Sequence, residues 1–206
     1  MGKLKNGIFG GFSGKVGNVV GSSCRGVEYI KSRPAKMTNP RSKGQVKQRN
    51  TFIIIQNFLG TFTPLIRIGF KDYAIDGLSA FNAAMSYNMV KGVKTGVTDE
   101  ELDFPNILVS RGPLYPVKEI NVTITKEGVQ FTWDRTPEEN ASSDDQVMVL
   151  VYNCDKETAI HDINAGKRSS STTKIKLPDD WNGDSIETYI AFKKADGSVV
   201  SDSIYC

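Results

Sequence analysis

The 206 residues are 39% hydrophobic and include ten phenylalanines, which is enough apolar material for one large or two small folded domains and excludes a disordered chain. The formal charge of +3 is uneven: residues 1–71 contain thirteen Lys and Arg against one acidic residue, a net of +12, whereas residues 72–206 contain thirteen against twenty-two, a net of −9. A basic end of this kind favours an anionic partner, either nucleic acid or the acidic part of another copy of the chain.

The cysteines and the apolar runs indicate the compartment. Cys24, Cys154 and Cys206 form no C-x-x-C pair, and their odd number argues against a disulfide scaffold. Glycines and Lys15 interrupt the apolar residues near the start, so we predict no signal peptide, and no run reaches the 18 or more residues of a membrane span. We expect a protein without a membrane span that is cytoplasmic as synthesised, with a virion or an extracellular assembly as its further destination.

The first 34 residues are rich in glycine, with eight in total. The β-prone residues 16–20 and 27–31 lie on either side of a turn at 22–26, which predicts a β-hairpin. Glycine-rich strands specify their register weakly and leave backbone hydrogen bonds open to another chain. Because an isolated hairpin is not stable, we expect a basic arm that needs a partner.

Two helices are predicted after this arm. Ser42 and Gln45 form a capping box that begins a helix ending near Gly60. The segment 61–70 contains a proline and a glycine and is interpreted as a connection. Apolar residues at spacings of three and four predict a second helix over residues 78–90, able to pack antiparallel to the first.

The start of the first helix is basic, where the helix dipole disfavours cations unless an external anion is bound. Together with the cations of the arm, these residues are the candidate assembly or anion-binding site. The candidates are Lys15, Arg25, Lys31, Arg33, Arg41, Lys43, Lys47 and Arg49.

From residue 105 onward the chain has short alternating segments separated by turns. Seven strands are predicted, at residues 107–110, 120–125, 129–133, 147–152, 173–177, 186–192 and 199–205. Seven strands in about a hundred residues are typical of a β-sandwich. We therefore predict an α+β chain in which residues 1–104 form a basic glycine-rich hairpin with a helical pair, and residues 105–206 form an immunoglobulin-like or fibronectin-III-like sandwich.

Residues 105–206 resemble a fibronectin type III domain. The resemblance is carried by the entry at 113–116, by a strand ending in Trp133, by the central strand 147–152, and by Leu177 and Pro178 followed by Tyr189, with an insertion between them. It implies a binding or spacer module without chemistry.

The whole chain also resembles an uncharacterised bacterial family found in Bacteroidota, a domain of unknown function. The resemblance is carried by the glycine-rich stretch 3–17 and by four further groups of residues. These groups are Asn39 and Pro40 with Gln45 and Arg49, Ala80-Phe81-Asn82, Ser86-Tyr87-Asn88, and Ser110-x-Gly112. It implies kinship and no mechanism.

Motifs that suggest chemistry fail on spacing. The stretch from Gly10 to Lys15 has three residues between its outer glycines and a valine after the lysine, unlike a phosphate-binding loop. His161, the single histidine, lies in a polar stretch, residues 158–171, interpreted as a loop, and no nucleophile pairs with it. The aspartate pairs at 144–145 and 179–180 lack calcium-loop spacing. We expect no catalytic residue, metal, cofactor or small-molecule substrate.

These observations favour a non-enzymatic structural subunit, such as a phage-particle component or a filament building block. Its arm would pair with a sheet edge of a neighbour, which is a second copy or another structural protein, by β-augmentation. The cations of the arm would meet acidic residues such as Asp144, Asp145, Asp179 and Asp180. The alternative is a nucleic-acid-binding protein in which the arm and the first helix hold phosphates.

Overall fold

The computed structural model describes residues 3–4, 10–24, 26–36, 39, 41–94, 101–125, 128–134 and 136–206. The chain divides into two compact units, Met1–Gln45 and Val46–Cys206. Across the described ranges it forms three α-helices and eleven β-strands, and every strand pairing within a sheet is antiparallel. The predicted α+β class, with a sandwich-like C-terminal part, is confirmed.

The first unit is a four-stranded antiparallel meander. Its strands, in spatial order, are β1 (Lys3–Leu4), β2 (Phe12–Val16), β3 (Val19–Cys24) and β4 (Val27–Ser32). The turns contain Gly17 with φ +58° and Gly26 with φ +82°, a left-handed backbone conformation that favours glycine. The predicted hairpin corresponds to β3–β4, but its bounds were wrong: the strand predicted at 16–20 contains the turn between β2 and β3, and residues 22–24 of the predicted turn belong to β3.

Along the chain, three helices follow the first four strands: α1 (Lys43–Gly60), α2 (Thr63–Gly69) and α3 (Ala80–Lys91). At the start of α1 the Gln45 backbone N–H donates to Ser42 Oγ at 3.4 Å, as the capping box predicts. The segment interpreted as a connection is in fact α2. Its proline occupies the first turn, where a missing N–H breaks no helical hydrogen bond, and α3 packs against this unpredicted helix.

Seven strands complete the second unit: β5 (Ile120–Thr125), β6 (Gly128–Trp133), β7 (Gln146–Asn153), β8 (Thr158–Lys167), β9 (Thr172–Lys176), β10 (Ile186–Lys193) and β11 (Ile204–Tyr205). They form a three-stranded sheet in the order β5-β6-β9 and a four-stranded sheet in the order β11-β10-β7-β8. Five predicted strands match β5, β6, β7, β9 and β10 closely.

Of the strand predicted at 199–205, only β11 is formed. Two further local predictions were wrong. The polar stretch interpreted as a loop contains β8, the longest strand of the described chain, whose edge position allows polar side chains on an exposed strand. Residues 107–110 form no strand. They are held by Asn88 of α3, whose side-chain amide accepts a hydrogen bond from the Leu108 N–H at 3.0 Å and donates to the Leu108 carbonyl at 2.9 Å.

The four-stranded sheet is buried on both faces. Leu150, Tyr152 and Tyr189 belong to the core that contains the helices, and the Tyr152 ring lies 4.7 Å from that of Phe58 on α1. The alternate residues of β7 and β10 pack with the three-stranded sheet in a second core; they include Val147, Val149, Val151, Ile190 and Phe192. The layers of this unit are thus helices, four strands and three strands.

The predicted division at residue 104 falls inside this second unit. Its helix-side core contains Phe58 and Ile66 from before that position, and Leu150 and Tyr189 from after it. Independent folding of residues 1–104 and 105–206 stays a prediction.

A buried ion pair lies where the chain crosses between the two sheets, in the turn between β8 and β9. Arg168 is fully buried, and its Nε donates to Asp145 Oδ2 at 3.2 Å. Its Nη2 donates to the Tyr115 carbonyl at 2.8 Å, and its guanidinium lies 4.1 Å from the centre of the Phe192 ring. Trp133 of the other sheet donates its indole N–H to the Arg168 carbonyl at 2.8 Å, so this one residue connects both sheets.

Each charge of this pair depends on the other. Burial lowers the pKa of the Arg168 guanidinium, and the nearby Asp145 carboxylate opposes that shift. Both side chains are only 1% exposed, so removing either leaves an isolated charge in the core. Asp145 was predicted as an anion for a neighbour's arm; this was wrong, because its carboxylate faces the interior.

We expect Asp145→Asn to lower the free energy of unfolding by about 3–5 kcal/mol, since it leaves the Arg168 cation buried without its countercharge. Asp144→Asn is the matched control: the adjacent carboxylate is exposed and pairs with exposed Lys167, so its loss should leave stability near that of the wild type. Urea unfolding measures both. Equally small effects in the two variants would contradict the structural role of the buried pair.

Candidate functional site

One face of the first unit's sheet is cationic. Across the strands, Lys15 pairs with Val20, which in turn pairs with Lys31, so these three side chains lie in one row. Lys3 pairs with Ser13, which lies two residues before Lys15, and Tyr29 lies two residues before Lys31. Because alternate side chains of a strand point to the same face, Lys3 and Tyr29 also lie on this face. We call this surface the lysine face. It holds three exposed lysines beside a tyrosine that is 42% exposed.

The opposite face of the sheet is largely apolar, although Glu28 and Ser32, on either side of Ile30 in β4, also lie on it. The Phe12 ring lies over Gly21, where an added Cβ would come within 2.8 Å of a ring carbon, so this position requires glycine. Val16, Val19 and Ile30 share this face and are exposed, Ile30 at 66%. Within the described residues of the first unit nothing covers this surface, which we call the apolar face.

The edge of this sheet is open along β4. All six β4 side chains are exposed, and β4 is the last strand in the sheet order. Arg33 N–H donates to the Asn18 carbonyl at 2.7 Å, continuing the register between β3 and β4. Because bonded positions alternate in an antiparallel ladder, the Tyr29 N–H points toward β3, whereas those of Glu28 and Ile30 point toward the open side.

The structure brings together only some of the predicted site residues. Lys15 and Lys31 lie on the lysine face, separated by the width of one strand, about 10 Å. Arg33 follows β4, and Arg25 lies outside the described residues. The other four are exposed at the start of α1, whose first turn contains no acidic residue; these are Arg41, Lys43, Lys47 and Arg49.

The acidic residues predicted to meet these cations are mostly engaged within the second unit. Asp144 pairs with Lys167 at 2.9 Å, and Asp180 pairs with Lys156 at 2.8 Å. Both pairs are exposed, so solvent and a competing cation can exchange with them. Asp179 is exposed and forms no ion pair with any residue in the described ranges.

Three of the residues that carried the family resemblance in the second unit have structural roles. Asn88 holds the segment 107–110 as described above. Ser110 donates its hydroxyl to the Ser201 carbonyl at 2.7 Å, and a Cβ added to Gly112 would lie 2.3 Å from the Val200 carbonyl. These contacts fix the chain that connects the helices to the sandwich, and they provide no reactive group.

His161 is part of the fold rather than an exposed loop residue. It lies on β8 opposite Leu150, on the face toward the helices, and is half-buried. Its Nδ1 is buried without a hydrogen-bond partner among the described residues. Burial lowers the pKa of the imidazole, and the Asp162 carboxylate partly opposes this shift. Its ring therefore favours the neutral form.

The described residues contain no cluster suited to metal or thiol chemistry. In them, no group of three or more His, Cys, Asp or Glu could hold a metal ion. Burial raises the pKa of the Cys206 thiol to about 11 and also raises that of Cys154, the opposite of what a reactive thiol needs.

No single helix in the described ranges is long and apolar enough to cross a membrane. Helices α1 and α2 meet the length and composition together, but a 94° bend separates them. Their apolar composition is explained by core residues such as Ile55, Phe58 and Ile66.

Comparison with known proteins returns one family. The profile of a family described as "Family of unknown function (DUF6266)" matches residues 11–206. No curated protein and no solved structure matches the chain. The matched residues include β2, β3 and β4 of the first unit and the whole of the second unit.

The burial of His161 has a consequence for stability. Because its folded-state pKa lies below the usual value near 6.5, the unfolded chain binds a proton that the folded chain rejects as the pH falls from 7 toward 5. Stability should fall over that interval, by at most about 1.4 kcal/mol per pH unit, the limit for one proton. His161→Leu should remove this slope in urea unfolding series. If the free energy of unfolding depended on pH equally in the wild type and in His161→Leu, the proposed effect of His161 burial would be contradicted.

Proposed function

We propose that this chain, which belongs to the DUF6266 family of unknown function, is a non-enzymatic assembly subunit of a virion particle or a filament. The observation that carries the proposal is β4: its six side chains are all exposed although three of them are large and apolar. A strand that presents both its faces and one backbone edge is suited to contact another chain.

The energetics favour association over a free sheet. Full burial of a valine or isoleucine side chain stabilises by about 1.5–3 kcal/mol, and the apolar face leaves Val16 at 55% and Ile30 at 66% exposure. Within its own unit the sheet therefore gains little from hydrophobic burial. A neighbour that covers this face and accepts hydrogen bonds from the Glu28 and Ile30 N–H groups supplies both the hydrophobic burial and the backbone hydrogen bonds.

Charge selects the neighbour. The lysine face is cationic, whereas residues 72–206 carry a net −9, so one copy's arm is electrostatically complementary to another copy's C-terminal part. A contact between two different surfaces of identical chains is head-to-tail. Repetition of that contact produces a ring when the rotation closes and a fibre when it does not.

The second unit would then act as a spacer resembling a fibronectin type III domain. This kinship is supported by its three-stranded and four-stranded antiparallel sheets and by Trp133, which is buried on β6 and packs edge-on against Phe192 at 5.9 Å.

A second candidate function is nucleic-acid binding, and the lysine face favours it. Lys15 and Lys31 are spaced to contact phosphates, and the exposed Tyr29 ring beside them could stack on a base. In this second candidate function the sheet binds nucleic acid through the lysine face, and the β4 backbone edge forms no contact with the ligand.

The variant Ile30→Pro distinguishes assembly through the β4 edge from nucleic-acid binding. Ile30→Pro removes an N–H that points to the open edge and leaves the β3–β4 bonds intact, so it should convert oligomers to monomers. Ile30→Ala is the matched control: it removes apolar area but keeps the N–H, and it should weaken assembly without abolishing it. Sedimentation velocity on nuclease-treated protein measures both.

Two outcomes would reject the proposal. Oligomers of Ile30→Pro equal in size to the wild type would exclude pairing at the β4 edge. A wild type that is monomeric at high micromolar concentration after nuclease treatment, yet shifts DNA or RNA in a gel, would exclude assembly and favour the second candidate.

A further inference from the structure

The helical part of the second unit contains an apolar groove of about 420 Å³. Its walls come from the segment between α2 and α3, from α3 itself and from the chain that follows residue 110. The main lining residues are Tyr73, Ile75, Leu78, Tyr87, Val90 and Arg111. Val90 and Ile75 are 73% and 63% exposed, which is unusual for aliphatic side chains lining a concave surface.

The Arg111 guanidinium lies over two aromatic rings in this groove. Its guanidinium carbon lies 4.4 Å from the centre of the Tyr73 ring and 5.0 Å from that of Tyr87. Stacking of this kind uses the flat faces of the guanidinium and leaves its N–H edge for a planar acceptor. Among the described residues, the guanidinium donates no hydrogen bond and forms no ion pair within 4 Å; only the backbone N–H of Arg111 is used, by the Gly69 carbonyl.

The charge of the groove is positive. Lys91 also lines it, and no acidic side chain does. Asp72 and Asp76 flank Tyr73 and Ile75 in the sequence, and the Asp202 carboxylate accepts a hydrogen bond from the Gly112 N–H, next to Arg111, at 2.9 Å. None of these three carboxylates forms an ion pair with a residue in the described ranges.

The same chain contains a completed version of this arrangement. Arg168 also stacks on an aromatic ring, at 4.1 Å from the Phe192 centre, and there Asp145 provides the carboxylate at 3.2 Å. Arg111 has the aromatic partners and lacks the carboxylate. A carboxylate from outside the chain would complete it, through the paired N–H···O bonds that arginine makes with a planar anion.

We infer that this groove binds a small organic acid, with the carboxylate on Arg111 and an apolar tail or ring against Ile75, Leu78 and Val90. The groove is open, with Ile75 and Val90 largely exposed, so its volume admits such a molecule and leaves one side of it in contact with solvent. No strand contributes to its lining, so it offers no backbone edge with which an extended peptide could pair. The inference concerns the second unit alone and does not depend on the assembly of the first.

Octanoate and octanamide test this site on the full chain, because they match in size and differ in charge. Isothermal titration should show that octanoate binds at least about tenfold more tightly than octanamide, as a charge-assisted pair requires. Arg111→Met should reduce octanoate binding to the level of octanamide and leave octanamide unchanged. Arg67→Met, on the exposed side of α2, is the control and should bind octanoate as the wild type does.

The wild-type comparison holds even if Arg111→Met fails to fold. Equal affinities for octanoate and octanamide would overturn the inference, as would full octanoate binding by a folded Arg111→Met protein. Absence of octanoate binding up to millimolar concentration would also overturn it. If Arg111→Met in that case lowered the oligomer size, the groove would belong to a contact between copies.

Discussion

The second unit depends on a sheet that must be covered on both faces. In β7 every residue after the first is buried, so the side chains on both faces of this strand are shielded from solvent. The three-stranded sheet covers one face through Val129 and Phe131, and the helices cover the other through Phe58 and Ile66. Because the helices satisfy a requirement of the sandwich, the two parts share one compact unit, and the segment between them is held by specific bonds from Asn88 and Ser110.

The sheet of the first unit is not covered in this way by the described residues of its own unit. This sheet has a lysine face and an apolar face, yet the described residues of that unit bury neither, and β4 is the edge strand of the sheet. An antiparallel sheet normally keeps one face dry. A sheet that meets this rule only with a partner is a physical reason to propose assembly, and it replaces the charge asymmetry of the sequence as the stronger argument. The asymmetry then describes which partner is electrostatically preferred.

Sequence reasoning succeeded where the signals were local. The capping serine of α1 and the short apolar runs of β5, β6, β7 and β10 are determined within a few neighbouring residues. It failed where distant contacts decide. Pro64 was interpreted as a break although it lies in the first turn of α2, and β8 was interpreted as a loop because an edge strand carries polar residues. The pairs that matter most join separate segments: Arg168 with Asp145, and Arg111 with its two tyrosines. No spacing in the sequence reveals them.

The central claim is that the open β4 edge pairs with another copy, and amide hydrogen exchange resolved by residue tests it directly. In a free monomer the Tyr29 N–H, bonded to β3, should be protected, whereas the Glu28 and Ile30 N–H groups should exchange rapidly. As the concentration of nuclease-treated protein rises into the assembling range, protection should appear at Glu28 and Ile30. Exchange that keeps the monomer's alternating pattern at every concentration, in a protein that nevertheless forms oligomers, would contradict the account.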